Sequence, residues 1–256
     1  MKYAILIGDG MADYPVAELN GRTPLVAAKT PNMDFLATQG ELGLACTIPP
    51  GMEPGSDVAN LSIMGYDPAT YHTGRAPLEA ASMGVALGPQ DVAFRCNLVT
   101  LAHDTDGDIF MEDYSAGHIS SDEARQLIDT INQTMGNGSR RFYPGVSYRH
   151  LLVWQGGEER WRTFPPHDLT GQSVRAYLEG QGKEKPLLEL MKSSWPVLAN
   201  HDVNRLRRER GQNPATSIWL WGQGRAPRVP TLQELYGLTG AVISAVDLMR
   251  GIGIYA

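Results

Sequence analysis

Residues 51–74 read GMEPGSDVANLSIMGYDPATYHTG, a glycine- and proline-marked loop followed by a short apolar repeat. Pro54 and Gly55 are turn residues, and Ser56 stands where a helix begins. Val58, Leu61 and Met64 recur at helical spacing, with Gly65 placed to end the helix. A hydroxyl at such a mouth faces unpaired backbone N–H groups and the positive end of the helix dipole. Both favour an alkoxide, or a phosphate carried on that oxygen. The plainer reading makes Ser56 the N-cap of the helix and nothing more.

Working outward, Tyr3 to Ile7 is an apolar run closed by Gly8-Asp9-Gly10, the pattern of a buried parallel strand ending at a loop. Ligands in open α/β sheets gather at that edge, so Asp9 is a candidate catalytic or metal-binding carboxylate, or else a turn residue. The spacing predicts a helix over Pro31–Gly40 and strands over Leu42–Ile48, Ala93–Leu101, Ser217–Trp221 and Gly240–Ala245. Asp104 to Asp108 reads as a solvated turn. Ser120 and Glu123 form a capping box for a helix carrying Ala124, Leu127, Ile128, Ile131 and Met135 on one face. Phe142–Tyr148 reads as a turn between strands and Phe164–Asp168 as an extended segment. Helices are expected over Leu187–Met191 and Pro196–Arg210. The texture changes near Leu101 and the α/β rhythm returns near residue 193, which suggests a separate lobe between them.

A chain of 256 residues with 42% hydrophobic and 20% charged residues suits one large domain or two smaller ones. A net charge of −6 argues against nucleic acid or an anionic membrane as the main partner. Arg far outnumbers Lys, and Arg is the better fork for phosphate and carboxylate. Cys46 and Cys96 are too few for a disulfide framework. No signal peptide or membrane-length apolar run is read, so a cytoplasmic, soluble protein is expected.

Four polar groups stand out as chemistry. Asp9 and Ser56 form the first, in which a metal on Asp9 would lower the pKa of the Ser56 hydroxyl. Asp113, Ser115 and His118 form the second, Tyr148, Arg149 and His150 with His167 and Asp168 the third, and Asn204 with Arg207 the fourth. The last three suit an anionic substrate; singly, each also reads as ordinary structure. A G-x-S-x-G elbow, a Walker phosphate loop, a G-x-G-x-x-G fingerprint and an H-E-x-x-H helix are all missing.

Several stretches together resemble one family across the whole chain: TPNMDFLATQGELG, PPGMEPGSDVANLSIMGYDPATYHTGRAPLEA, FRCNLVT, DYSAGHIS, YPGVSYRH, PPHD, PATSIWLWGQG and GAVISAVDLMRGIG. The resemblance is to the archaeal-type 2,3-bisphosphoglycerate-independent phosphoglycerate mutases of the alkaline phosphatase superfamily. It implies an α/β fold: an alkaline-phosphatase-like sheet core, residues 1–105 and 193–256, with an inserted α/β substrate lobe, residues 106–192. It implies Ser56 as the phosphorylated nucleophile, Asp9 and Ser56 as metal ligands, and His118, Arg149, His150, His167 and Arg207 as substrate contacts. Two divalent ions, manganese or magnesium, and no organic cofactor are implied. So is the glycolytic interconversion of 3- and 2-phosphoglycerate through a phosphoserine. In the family the chain continues beyond this end and brings most metal ligands. Residues 1–256 alone are therefore expected to be inactive and to self-associate or to lack a segment. A homoserine kinase-like phosphotransferase, or an inactive module binding an anionic metabolite or partner, are the alternatives.

Overall fold

A computed structural model describes residues 2–256, which divide into a unit up to Cys46 and a larger one from Thr47. In the first unit, α1 (Pro24–Ala27) opens on Thr23, whose hydroxyl accepts from Val26 N–H. Helix α2 (Pro31–Gln39) follows Thr30 and stops at Gly40, within the expected span. Two expected strands of this region are not strands. Tyr3–Ile7 and residues 42–48 do not take strand structure, and Leu6 and Leu44 are fully or nearly fully exposed. A strand exists through its ladder, and an apolar run cannot show whether a partner is within reach.

The second unit starts with α3 (Ser56–Ile63), α4 (Pro68–Tyr71) and α5 (Ala76–Ser82). Gly65 has φ +87° just past α3, the left-handed turn that glycine adopts without steric cost. A mixed arrangement follows: β1 (Asp91–His103), β2 (Ile109–Asp113), α6 (Ser121–Met135), β3 (Arg140–Tyr143), β4 (Arg149–Gln155), α7 (Arg175–Leu178), α8 (Lys185–Ala199), α9 (Asp202–Glu209) and β5 (Ser217–Gly224). The end carries α10 (Leu232–Tyr236) and α11 (Asp247–Tyr255). The expected strand over Gly240–Ala245 is absent for want of a ladder partner. The helix expected from Pro196 to Arg210 is two helices. Pro196 lies inside α8, and His201 caps α9 by accepting from Val203 N–H. Residues 166–169 form a 3-10 turn rather than an extended segment.

The sheet is antiparallel throughout. Strand β1 is its axis, paired with β4 on one side and β5 on the other, while its far end pairs with β2 and β3 adds to β4. It takes β1 and β5 from either side of residues 106–192. Because β1 is covered on both faces, residues 92–101 are all buried, and the sequence there reads as continuous rather than alternating. Val92, Phe94, Cys96 and Leu98 join the main core with Leu127, Ile128 and Ile131 of α6 and Leu187 and Met191 of α8. Ala93, one residue out of phase, packs instead with Ala76 and Ala80 of α5 and Leu151 and Val153 of β4. That second face also carries Arg95 and Asn97, and the period of two decides where the site lies.

Leu248 and Ile252 of α11 close a third cluster with Leu61, Tyr66 and Leu78. Between them Gly251 lies against the backbone of α5, where an added Cβ would overlap the Leu78 carbonyl oxygen. Gly251→Ala is expected to cost about 3 kcal/mol, because backbone on both sides has to move apart. Urea unfolding of the substituted chain measures it.

Candidate anion-binding site

Asn97 of β1 lies opposite Arg149 of β4, and Arg95 opposite Trp221 of β5, so the ladder register sets these side chains side by side on the α5 face. With Arg75, Tyr114, Tyr148 and His167, the Arg95, Asn97 and Arg149 side chains line a cavity of about 250 Å³. Three guanidinium groups and an imidazole converge there, with no carboxylate among the lining residues.

Two of the cations share one anchor. Glu79 of α5, 8% exposed, holds Arg75 Nε at 3.0 Å through Oε1 and Arg95 Nε at 2.7 Å through Oε2. The second contact is an ion pair without hydrogen-bond alignment, so Arg95 Nε is a buried donor lacking a directed acceptor. Burial pulls the Arg95 pKa down to about 10, against the raising influence of Glu79, and Arg75 and Arg149 lower it further. The guanidinium is therefore charged at neutral pH yet poorly solvated, which favours an incoming anion. Arg95 lies 4.4 Å from the Trp221 ring centre and Arg75 5.6 Å, while Trp221 Nε1 donates to Asn97 Oδ1.

The aromatic wall is a run of edge contacts: Tyr114 on Tyr148 and on His167, and His167 on Trp221. Arg149 sits 5.1 Å over Tyr148 with an exposed head. Burial, opposed by Asp168 and reinforced by Arg75 and Arg95, holds the His167 pKa below its ordinary value. His167 is thus a neutral hydrogen-bonding group at pH 7.

His118 stands beside this wall, its ring 6.1 Å from Tyr148. It ends a strained turn in which Ala116, Gly117 and His118 all have positive φ. Asp113 holds the turn by accepting from Ser115 N–H, Ser115 Oγ, Gly117 N–H and Asn213 Nδ2. Burial pushes the Asp113 pKa up, but those bonds outweigh it and the net shift is downward.

The structure brings Arg149 and His167 together and sets His118 beside them; it does not bring His150, Arg207 or Asn204 to the cavity. His150 faces away from Arg149 by the strand alternation, is 3% exposed, and accepts from Gly145 N–H through Nδ1. Arg207, 2% exposed, spends its donors on Glu123, the Ala116 carbonyl and the Asn213 carbonyl. In this structure those bonds make it a brace behind the His118 turn. Asn204 ties Leu198 to Ala215 through backbone bonds. Arg75, Arg95, Asn97 and Tyr114 are cavity residues that the sequence reading passed over, and Trp221 lies against the two arginines. The signal for Arg95 was a cation inside an apolar strand, and for Arg75 a cation just before a helix already singled out.

Ser56 is the first residue of α3 rather than its cap. Gly55 occupies the cap position, and the Ser56 hydroxyl makes no hydrogen bond among the described residues. The plain capping role is thereby removed. Asp57 beside it meets His72 Nε2 at 2.6 Å. Burial raises the Asp57 pKa, but His72 and Arg75 outweigh it and leave the carboxyl below its usual range. Asp9 is exposed in a turn of the first unit, whereas Ser56 belongs to the second. Among the described residues no group of three or more His, Cys, Asp or Glu is placed to hold a metal ion. The residues present do not fit a metal site by themselves. No helix among them is long and apolar enough to cross a membrane.

The chain is thus an antiparallel sheet with helices on both faces and a cavity lined by three arginines. The chain belongs to the 2,3-bisphosphoglycerate-independent phosphoglycerate mutase family, whose match covers residues 37–204. It is 59% identical over its whole length to a probable 2,3-bisphosphoglycerate-independent phosphoglycerate mutase of Geobacter sulfurreducens, covering 64% of that protein. It is 60% identical to the 2,3-bisphosphoglycerate-independent phosphoglycerate mutase of Methanosarcina barkeri, covering 63% of it. The chain thus spans less than two thirds of the length of these relatives. The structure of the PH0037 protein from Pyrococcus horikoshii superposes with a TM-score of 0.66 at 32% identity, over 95% of this chain and 57% of that one.

The buried His150 supplies a pH test. Burial, with the Arg125 charge, holds its pKa down at about 3, against 6.5 unfolded. Its contribution to stability is complete above pH 6.5 and is lost as pH falls toward 3. Between pH 7 and pH 4 the native chain should lose about 2–3 kcal/mol more than a His150→Gln chain, followed by urea unfolding at each pH.

Proposed function

We propose that the protein is a cofactor-independent phosphoglycerate mutase, interconverting 3-phosphoglycerate and 2-phosphoglycerate, and that this chain supplies the nucleophile and the substrate contacts. The observation that carries the reading is the cavity in which Arg75, Arg95, Arg149 and His167 converge without a lining carboxylate. The substrate carries a phosphate and a carboxylate, and planar guanidinium forks pair with both bidentately. His118, on its braced turn at the Tyr148 wall, adds a donor for the same ligand. His150 and Arg207 act behind the contacts, the first under the Tyr148–Arg149 turn and the second under His118.

In this reading Ser56 Oγ attacks the phosphorus and releases its proton, the bond to the C3 oxygen breaks, and that oxygen takes up a proton. Glycerate stays in the arginine cavity and turns. Its C2 hydroxyl then attacks the phosphoserine and releases its proton, Ser56 Oγ leaves and takes one up, and no water or redox partner is consumed. The free hydroxyl at the mouth of α3 supports this role, since the N–H groups of a first turn favour negative charge on that oxygen. Two divalent ions, manganese or magnesium, are proposed for the full gene product, with Asp9 and Ser56 among their ligands. Their remaining ligands are not gathered among the described residues, so no step is drawn through them. We propose the core and insert division at 1–105 with 193–256 and at 106–192, with β1 and β5 carried into the sheet of the insert.

The full gene product incubated with 3-phosphoglycerate should gain a phosphoryl group on the Ser56 peptide by mass spectrometry. Ser56→Ala should lose more than about 1000-fold in kcat, roughly 4 kcal/mol of transition-state stabilisation. Arg149→Ala should raise KM about 10- to 150-fold, a charged contact of roughly 1.5–3 kcal/mol. Normal turnover by folded Ser56→Ala protein refutes the nucleophile, and an unchanged KM in Arg149→Ala refutes the cavity.

A further inference from the structure

Asp57 and His72 meet across 15 residues, with Oδ2 2.6 Å from Nε2, and their side chains are 13% and 20% exposed. Asp57 is the second residue of α3, next to Ser56, and its Oδ1 folds back over Gly55, where an added Cβ would press on it. His72 ends α4 and begins the segment His72-Thr73-Gly74-Arg75. That segment is fixed at its other end. Thr73 Oγ1 donates to the Arg225 carbonyl, Gly74 packs against the Gln223 backbone, and Arg75 is held by Glu79 at the cavity. Neither Asp57 nor His72 lines that cavity. Among the described residues the pair is therefore a direct side-chain hydrogen bond between the turn that carries Ser56 and the segment that delivers Arg75.

We propose that Asp57 and His72 are a positioning pair, fixing the Ser56 hydroxyl relative to the arginine cavity so that transfer and binding geometries coincide. The inference rests on the proposed role of Ser56 as phosphoryl acceptor. A hydroxyl that makes no hydrogen bond of its own is aimed by its backbone, and the backbone of the first turn is held by its neighbour's side chain. Phosphoryl transfer is sensitive to such placement, since a misplacement of about 1 Å costs on the order of 100-fold in rate. Loss of the clamp leaves the cavity intact, so it changes the chemical step and spares affinity.

The test uses the full gene product carrying His72→Leu, His72→Gln, Asp57→Asn, the Asp57→Asn/His72→Leu double substitution and Ser56→Ala, each checked by thermal unfolding. His72→Leu and Asp57→Asn should each lower kcat about tenfold with KM within twofold. The double substitution should lose no more than either alone, as expected of residues acting as one unit. His72→Gln, which keeps an N–H near the Nε2 position, should stay within threefold of the parent. Single-turnover phosphorylation of Ser56 should slow by the same factors. A purely structural role would instead lower the melting temperature and move KM with kcat, and that result overturns the proposal. So do additive losses, or a parental kcat in His72→Leu while Ser56→Ala is silent. Normal turnover in Ser56→Ala overturns the reading beneath it. Should His72→Leu fail to fold, the nearly isosteric Asp57→Asn decides alone, by its kcat against its KM.

Discussion

The site depends on one buried carboxylate. Glu79, carried on α5 against the face of β1, neutralises part of the charge of Arg75 and Arg95 and fixes both over Trp221. Without it two guanidinium groups would face each other under low solvation, at a cost of several kcal/mol. With it, a cavity retains an excess of positive charge from Arg149 and from the unshared part of the Arg75 and Arg95 charges. The arrangement leaves something unsatisfied: Arg95 Nε is buried and has one aligned partner too few. An anion supplies what the protein does not.

Around that anchor the structure separates contact from support. Arg149 and His167 reach the cavity, whereas His150, the neighbour of Arg149 in sequence, turns to the opposite face and latches the preceding loop at Gly145. Arg207 and Asp113 grip the turn that raises His118 from opposite sides, one through a carbonyl and the other through N–H groups. A strained turn persists only where its surroundings over-determine it, and here a buried cation and a half-buried carboxylate both do so. The position of the exposed His118 is thus carried by ionic groups that lie outside the cavity lining.

Local structure was legible wherever it is decided locally. The Ser120–Glu123 capping box, the face of α6 and the glycine ends at Gly40 and Gly65 follow from short-range bonding, and they appear as the sequence implies. Strands were legible only where a partner exists. Residues 93–101 and 217–221 form ladders, whereas Tyr3–Ile7, 42–48 and 240–245, of similar composition, do not. The site was half legible. Arg149 and His167 were visible as polar residues in turn-rich segments, but Arg95 lay hidden in an apolar strand, because only register reveals that it faces Glu79 and Trp221. The partners of Arg207 were hidden for the converse reason: an arginine-rich helix resembles an anion site, and the carbonyls that take its donors come from residues 116 and 213.

The central claim is that the arginine cavity on the α5 face of β1 receives the phosphoglycerate. Titrating 3-phosphoglycerate into the isotope-labelled chain while following the arginine Nε–Hε and histidine ring signals tests it most directly. The account predicts saturable shifts at Arg75, Arg95, Arg149 and His167, with Arg207 and His150 far less affected. Shifts centred on Arg207, or none at Arg95 and Arg149 while the ligand binds elsewhere, would contradict it.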